Sequence, residues 1–224
     1  MQPHYFPWPG YFNLIYKSNV FIFLDDAQYS KGSWHCRNYI IINKKKYLIK
    51  VPTVKSPLKT NINNKLIDTK NNWKLKQIKT IEQSYFNHEY FSDLNELLNF
   101  FKNFKTNNLS ELNIELVKFI CKKLDINCEY VLSSKLNIKE NRTIKIVKIL
   151  EQINASEYIS TIGAKEYLIK DNFEELTNIK LTFNDFIQKE YSQNNLEIFV
   201  NNLSIIDLIA NIGWMKSSQY IKNE

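Results

Sequence analysis

Hydrophobic and polar positions alternate along this chain in two periods. An unbroken apolar run in "NVFIFLDD" (19–26) ends in two acids, which suits a strand buried on both faces with Asp25 and Asp26 at its carboxyl end. "RNYIIIN" (37–43) and "KKYLIKVP" (45–52) flank Asn43-Lys44-Lys45 and predict an antiparallel hairpin closed by Pro52. Further strands are expected at "CEYVLSSKL" (128–136), "EYIST" (157–161) and "IKLTFND" (179–185). Apolar residues recur at helical spacing over 10–17, 73–84, 92–104, 109–126, 142–153, 163–170 and 204–213. Ser92, Ser110 and Ser204 stand where N-caps would, and Gly213 where a helix would stop. Strands alternating with helices predict a single α/β domain over 1–224, with a mainly parallel or mixed sheet, flanking helices and one antiparallel hairpin.

Composition narrows this picture. At 224 residues with 44% hydrophobic side chains the chain can bury one substantial core. No apolar run reaches the roughly 18 residues of a membrane span, and the start lacks the basic and apolar regions of a signal peptide. The expectation is a soluble, cytoplasmic, reduced protein. Cys36, Cys121 and Cys128 have no metal-ligand spacing, and Cys121 falls on an apolar helical face.

Charge is unevenly spread. From Lys31 to Lys79 there are thirteen Lys or Arg against one acid, Asp68, whereas from Thr80 onward sixteen basic residues face twenty acids. A cationic block of this kind concentrates anions near it. Two ligand classes satisfy it: a phosphate-bearing small molecule, or a nucleic acid met by basic and interleaved aromatic residues.

With four glycines the chain has no Walker loop, no dinucleotide fingerprint and no nucleophile elbow, and His4, His35 and His88 form no metal-ligand pair. Two stretches remain. "MQPHYFPWPGYF" opens the chain with Pro3, Pro7 and Pro9, which forbid an ordinary helix before Pro9. It predicts a stiff segment presenting Gln2, His4, Tyr5 and Trp8 to a ligand, with Phe6 and Phe12 in the core. "DDAQYSKGSWHCRN" follows a strand end, the favoured ligand position of open α/β sheets, and holds Asp25, Asp26, Gln28, Lys31, Trp34, His35, Arg37 and Asn38. Lys31, Arg37 and Lys55 can meet phosphate; Arg offers a planar fork that Lys lacks. Tyr5, Trp8, Tyr29 and Trp34 can stack on a base or sugar. Ser133, Ser134, Ser160 and Thr161 follow strands and can supply hydroxyl contacts or helix caps. Asp26, His4 and His35 are the three candidates for a general base, with Asp26 and His4 preferred.

"QPHYFPWPGYF", "VFIFLDDAQYSKGSWHCRN", "SSKL", "YISTIGAKEYL" and "SIIDLI", in this order, resemble the WbqC-like family of bacterial surface-polysaccharide gene clusters. The resemblance runs from Gln2 to about Gly213. It implies a strand before Gln2, where this sequence has only Met1, and amides more often than a histidine at the position of His35. It places Tyr191 and Gln193 as an aromatic and amide pair near the end of the fold. The activity it implies is transfer of an acetyl, glycyl or related acyl group to the amine of a UDP- or dTDP-linked amino sugar in O-antigen synthesis. The donor would be acetyl-CoA or an aminoacyl carrier, with no tightly bound cofactor and self-association left open. The competing classes are a nucleic-acid or aminoacyl-tRNA binder and a non-catalytic member of a glycan assembly pathway.

Overall fold

The structure is a computed structural model that describes residues 1–194 and 196–223. Helix α1 (Pro9–Tyr16) follows the opening segment and leads into β1 (Val20–Phe23). The hairpin β2 (Arg37–Ile42) and β3 (Lys45–Lys50) comes next, then helices α2 (Trp73–Tyr85), α3 (Phe91–Asn103) and α4 (Leu109–Lys123). The second half runs β4 (Glu129–Leu132), α5 (Arg142–Gln152), β5 (Glu157–Thr161), α6 (Lys165–Lys170), α7 (Phe173–Leu176), β6 (Lys180–Asn184) and α8 (Ile205–Lys222). The chain is α/β, as its sequence pattern predicts.

Pairing is parallel twice and antiparallel once. β1 pairs with β4 and β5 with β6 in parallel, and β2 with β3 antiparallel. The three ladders remain separate two-stranded sheets. Asn43 and Lys44 both take positive φ, as the two central residues of a type I′ hairpin turn must. A large core joins α1, β1, the hairpin, α2, α3, α4 and α8; a smaller one gathers Ile146, Val147, Leu150, Ala164, Leu168 and Phe173 around β5 and β6.

Several element ends differ from the sequence reading. Helix α4 is capped by Asn108, whose side chain accepts from Glu111 N at 3.0 Å, and Ser110 is buried inside the helix. Ser92 lies within the first turn of α3 rather than at its cap, and Asp93 instead accepts the amide of Trp214 at 2.8 Å. Ser204 does cap α8, but Gly213 is a kink and not the end. Its φ of 72° and its seat against Tyr90 require glycine: an added Cβ would lie 2.4 Å from that ring. The strand after Cys128 is shorter than expected because Ser133–Lys135 turn as a 3-10 helix.

The proline-rich opening threads the large core. Tyr5, Phe6 and Phe12 are fully buried, and Phe6 holds a φ of 40°, a strained value for an aromatic residue. Asn38 Nδ2 donates to the carbonyls of Phe6 (2.6 Å) and Tyr5 (3.3 Å), and Ser204 Oγ also donates to Phe6 O (2.9 Å). Asn38→Ala orphans buried acceptors at this strained point, so it should cost about 1–3 kcal/mol in urea unfolding. A loss within error of zero would show that the clamp is dispensable.

Candidate functional site

The strand ends converge on three groups of side chains, and each has a different state. The first is a latch. Ser134 donates its main-chain N–H (3.0 Å) and hydroxyl (2.6 Å) to the two oxygens of Asp25. The Ser133 hydroxyl lies 2.5 Å from Asp26 and 3.2 Å from Asp25, and Lys145 from α5 completes the set with an ion pair to Asp26 at 2.5 Å. Asp25 and Ser133 are buried. Every carboxylate oxygen is thus engaged, and the latch ties the end of β1 to the end of β4 and to α5. Asp26 has no oxygen left facing a ligand, which weakens it as a general base.

A pair of imidazoles forms the second group. Gln2 Oε1 can only accept, so His35 Nε2 carries the proton across their 2.9 Å contact and Nδ1 accepts from Ser33 Oγ at 2.6 Å. His35 is buried, saturated with partners and structural in its bonding. His4 stands with its ring 5.7 Å from that of His35, and the ring makes no hydrogen bond with any described residue. It lines a groove of about 730 Å³ that runs between β1 and β5. At the carboxyl end of this groove His4 is joined by Gln2, Trp34, Thr161, Gly163 and Tyr167. Burial holds His4 down to about 3, with the neighbouring His35 and the chain amine adding to the effect, and burial holds His35 down to about 4. At neutral pH both rings are uncharged.

The third group is cationic. Arg37 makes no ion pair among the described residues, and its Nε is buried without a partner. Its guanidinium lies 5.8 Å from the Trp34 ring centroid and beside Gly32, whose φ is 74°. Trp34 is 45% exposed and lines the groove, so Arg37 sits behind the aromatic plate at its mouth. Lys31 and Lys55 are exposed and unpaired among the described residues. Lys65, in contrast, is buried, donating to Val54 O and Ser56 Oγ at 2.6 Å and lying 4.6 Å from the Tyr29 ring centroid; desolvation lowers its pKa.

Other residues singled out in the sequence are placed elsewhere. Tyr5 shows no ring face to solvent, since its hydroxyl meets Gln77 and its ring packs on Phe6 and Phe101. Asn38 is spent on the opening segment. Trp8 covers Gly10, meets Phe186 edge-on and does not line the groove. Gln28 is exposed and donates to Leu58 O. Tyr191 and Gln193 hydrogen-bond Asp207 at 2.7 and 3.0 Å, and Tyr85 adds a third bond at 2.9 Å. This buried carboxylate pins the loop before α8, and desolvation raises its pKa. Cys121 is core, as expected. Among the described residues no helix is long and apolar enough to cross a membrane, and no group of three His, Cys, Asp or Glu could hold a metal ion.

The two histidines set a pH dependence. Their folded pKa values lie below the ordinary 6.5, so the unfolded chain takes up protons first as pH falls. Stability from the neutral rings is full above about pH 6.5 and is lost progressively toward about pH 4 for His35 and about pH 3 for His4. For His35 alone the loss should approach roughly 3 kcal/mol at its limit. Urea unfolding of wild type and His35→Gln from about pH 5 to 7 checks this: the variant should show the shallower decline. Parallel curves would mean that His35 takes up its proton equally readily in the folded and unfolded chain.

The residues that build these groups lie within a region matched by known proteins. The model of the WbqC-like protein family matches residues 2–219. The Mycobacterium tuberculosis (strain ATCC 25618 / H37Rv) protein named "Uncharacterized protein Rv1507c" is 32% identical over 216 residues, which is 95% of this chain and 92% of that protein. No solved structure matches significantly. With the family pattern covering the opening segment, the latch, the imidazole pair and Arg37 alike, the chain belongs to the WbqC-like protein family.

Proposed function

We propose that the protein is an N-acyltransferase acting on the amino group of a nucleotide-linked amino sugar in surface-glycan synthesis, with the groove mouth as its site. The observation that carries this reading is an uncharged His4 opening onto a groove lined by an exposed Trp34, which is backed by Arg37, a guanidinium with no ion pair among the described residues. Trp34 stacks on the base or sugar, and Arg37, with Lys31 nearby in sequence, takes the diphosphate. The cationic surroundings disfavour an ammonium and so favour the neutral amine that acylation needs.

In the step itself the amine nitrogen bonds to the acyl carbonyl carbon. The nitrogen, now positively charged, loses its proton to His4. As the tetrahedral intermediate collapses, the bond from carbon to the carrier's sulfur or oxygen breaks, and the proton passes to that leaving group. A base as weak as His4 suffices because bond formation to the carbonyl carbon makes the nitrogen's proton far more acidic than that of a free ammonium. Thr161, which lines the same groove, supplies a hydroxyl for the oxyanion. Gln2 and His35 act through position, holding the segment that carries His4.

Incubation with UDP- and dTDP-linked amino sugars and either acetyl-CoA or aminoacyl donors, followed by weighing of the products, tests the reaction. One sugar nucleotide should gain one acyl group, and His4→Ala should lower the rate by about 10²–10⁴ while the fold is kept. No product from any pair, together with sulfate binding as tight as the sugar nucleotides, would refute it.

Arg37→Lys gives a second check. It should keep the melting temperature yet weaken sugar-nucleotide binding by about 1–3 kcal/mol in calorimetry, because lysine cannot reproduce the fork. Wild-type affinity in this variant would remove Arg37 from the site.

A further inference from the structure

The hairpin carries a face of which the proposed reaction uses Arg37 alone. Asn38, Ile40 and Ile49 turn the other face into the core. The pleat therefore puts Arg37, Tyr39 and Ile41 of β2 on the outer side, directly across from Lys50, Leu48 and Lys46 of β3. Arg37 opposite Lys50 is a like-charge pair, which costs stability unless an acid intervenes. None does. Every ion pair among the described residues lies outside the window from Lys31 to Lys79, whose one acid, Asp68, accepts the main-chain N–H of Lys70. Between the cations the face is aromatic and apolar. Tyr39 and Leu48 are half-buried, Lys46 Nζ lies 5.9 Å from the Tyr39 ring centroid, and the Trp34 ring meets that of Tyr39 edge-on at 6.0 Å. Trp34 also lines the groove with His4, so the face runs up to the groove mouth.

We propose that this outer face docks the single-stranded end of an aminoacylated RNA, and that this RNA is the acyl donor. Its role as donor rests on the acyltransferase reading; its identity as a nucleic acid rests on the hairpin. A nucleic acid brings evenly spaced phosphates to Lys46 and Lys50 and a flat base to Tyr39, a combination that an acidic peptide lacks. A peptide strand also finds no edge to join on β2, because Tyr39 O accepts from Ser204 N and Ile41 N donates to Tyr85 Oη. RNA follows from the donor chemistry, since a terminal ribose with neighbouring 2′- and 3′-hydroxyls holds an aminoacyl group as an activated ester. In the transfer the sugar amine bonds to the ester carbonyl carbon and the bond from that carbon to the ribose oxygen breaks. The amine's proton ends on that oxygen, and no further reactant is needed.

The test is the fluorescence anisotropy of a labelled single-stranded oligoribonucleotide of about eight residues, bound to the full chain across a salt series. Lys46→Gln/Lys50→Gln should weaken binding and flatten the slope of log affinity against log salt by about 0.7 for each lysine. Tyr39→Ala should weaken binding about tenfold with the slope unchanged, and Tyr39→Phe should bind like the wild type. Wild-type affinity in the double lysine variant would overturn the proposal, and so would displacement of the RNA by polyglutamate at equal charge. Transfer to the sugar amine is then measured from the aminoacylated oligonucleotide and from acetyl-CoA. The RNA should serve as donor, with its KM raised and kcat kept in the double lysine variant. Transfer from acetyl-CoA alone would sink the RNA as donor and leave the acyltransferase reading intact. RNA binding as expected with no transfer from either donor would refute that reading and leave the docking face standing.

Discussion

Everything near the site depends on satisfying the carbonyl groups of the opening segment. Prolines at 3, 7 and 9 rule out a helix there, so residues 2–8 enter a buried region with main-chain acceptors that no regular element can pair. The rest of the protein supplies the donors. Tyr11 Oη reaches Gln2 O, Asn113 reaches Pro3 O, Asn38 reaches Tyr5 and Phe6, and Ser204 with the Ile205 amide reaches Phe6 and Pro7. These donors come from α1, α4, β2 and α8, so one segment ties four elements together. The left-handed Phe6 persists because its carbonyl is held from two sides. His4, at the middle of this span, consequently has a fixed position at low conformational cost.

That rigidity decides which groups are available for chemistry. The acids at the end of β1 are consumed by Ser133, Ser134 and Lys145, and the acid in α8 by Tyr85, Tyr191 and Gln193. His35 has a partner on each ring nitrogen. What remains, among the described residues, is an imidazole without a hydrogen-bond partner, an exposed indole and a guanidinium without an acid. In the proposed reaction His4 serves as base and Trp34 as stacking plate at the groove, and Arg37 behind Trp34 receives the anion of a phosphate-bearing aromatic ligand. Within the basic window from Lys31 to Lys79 most lysines are exposed, and Arg37 meets no acid among the described residues.

Local patterns were legible in the sequence and long-range partnerships were not. The run "VFIFL" reads as a strand because it is apolar on both faces, and β1 alternates half-buried and buried residues. The Asn43-Lys44 turn and the Ser204 cap follow from residue chemistry alone. Asp25 and Asp26 looked like site residues because they end a strand, yet their serine partners arrive from more than a hundred positions away. Tyr5 and Trp34 are equally aromatic in sequence, and only the turn at Phe6 sends the first into the core. Asp207 gave no signal, since a lone acid in a helix's first turn ordinarily faces water. The parallel pairing was readable from the alternation of elements, but the separation into three ladders depends on which strand edges meet.

The account rests on His4 being uncharged and facing the ligand, and the imidazole ¹⁵N spectrum of the protein observes both. From about pH 5 to 8 the His4 nitrogens should keep the shifts of a neutral ring, and on addition of a UDP-linked amino sugar they should move while those of His88 stay in place. A His4 that becomes half protonated near pH 6.5, or that is indifferent to the sugar nucleotide while His88 responds, would contradict it.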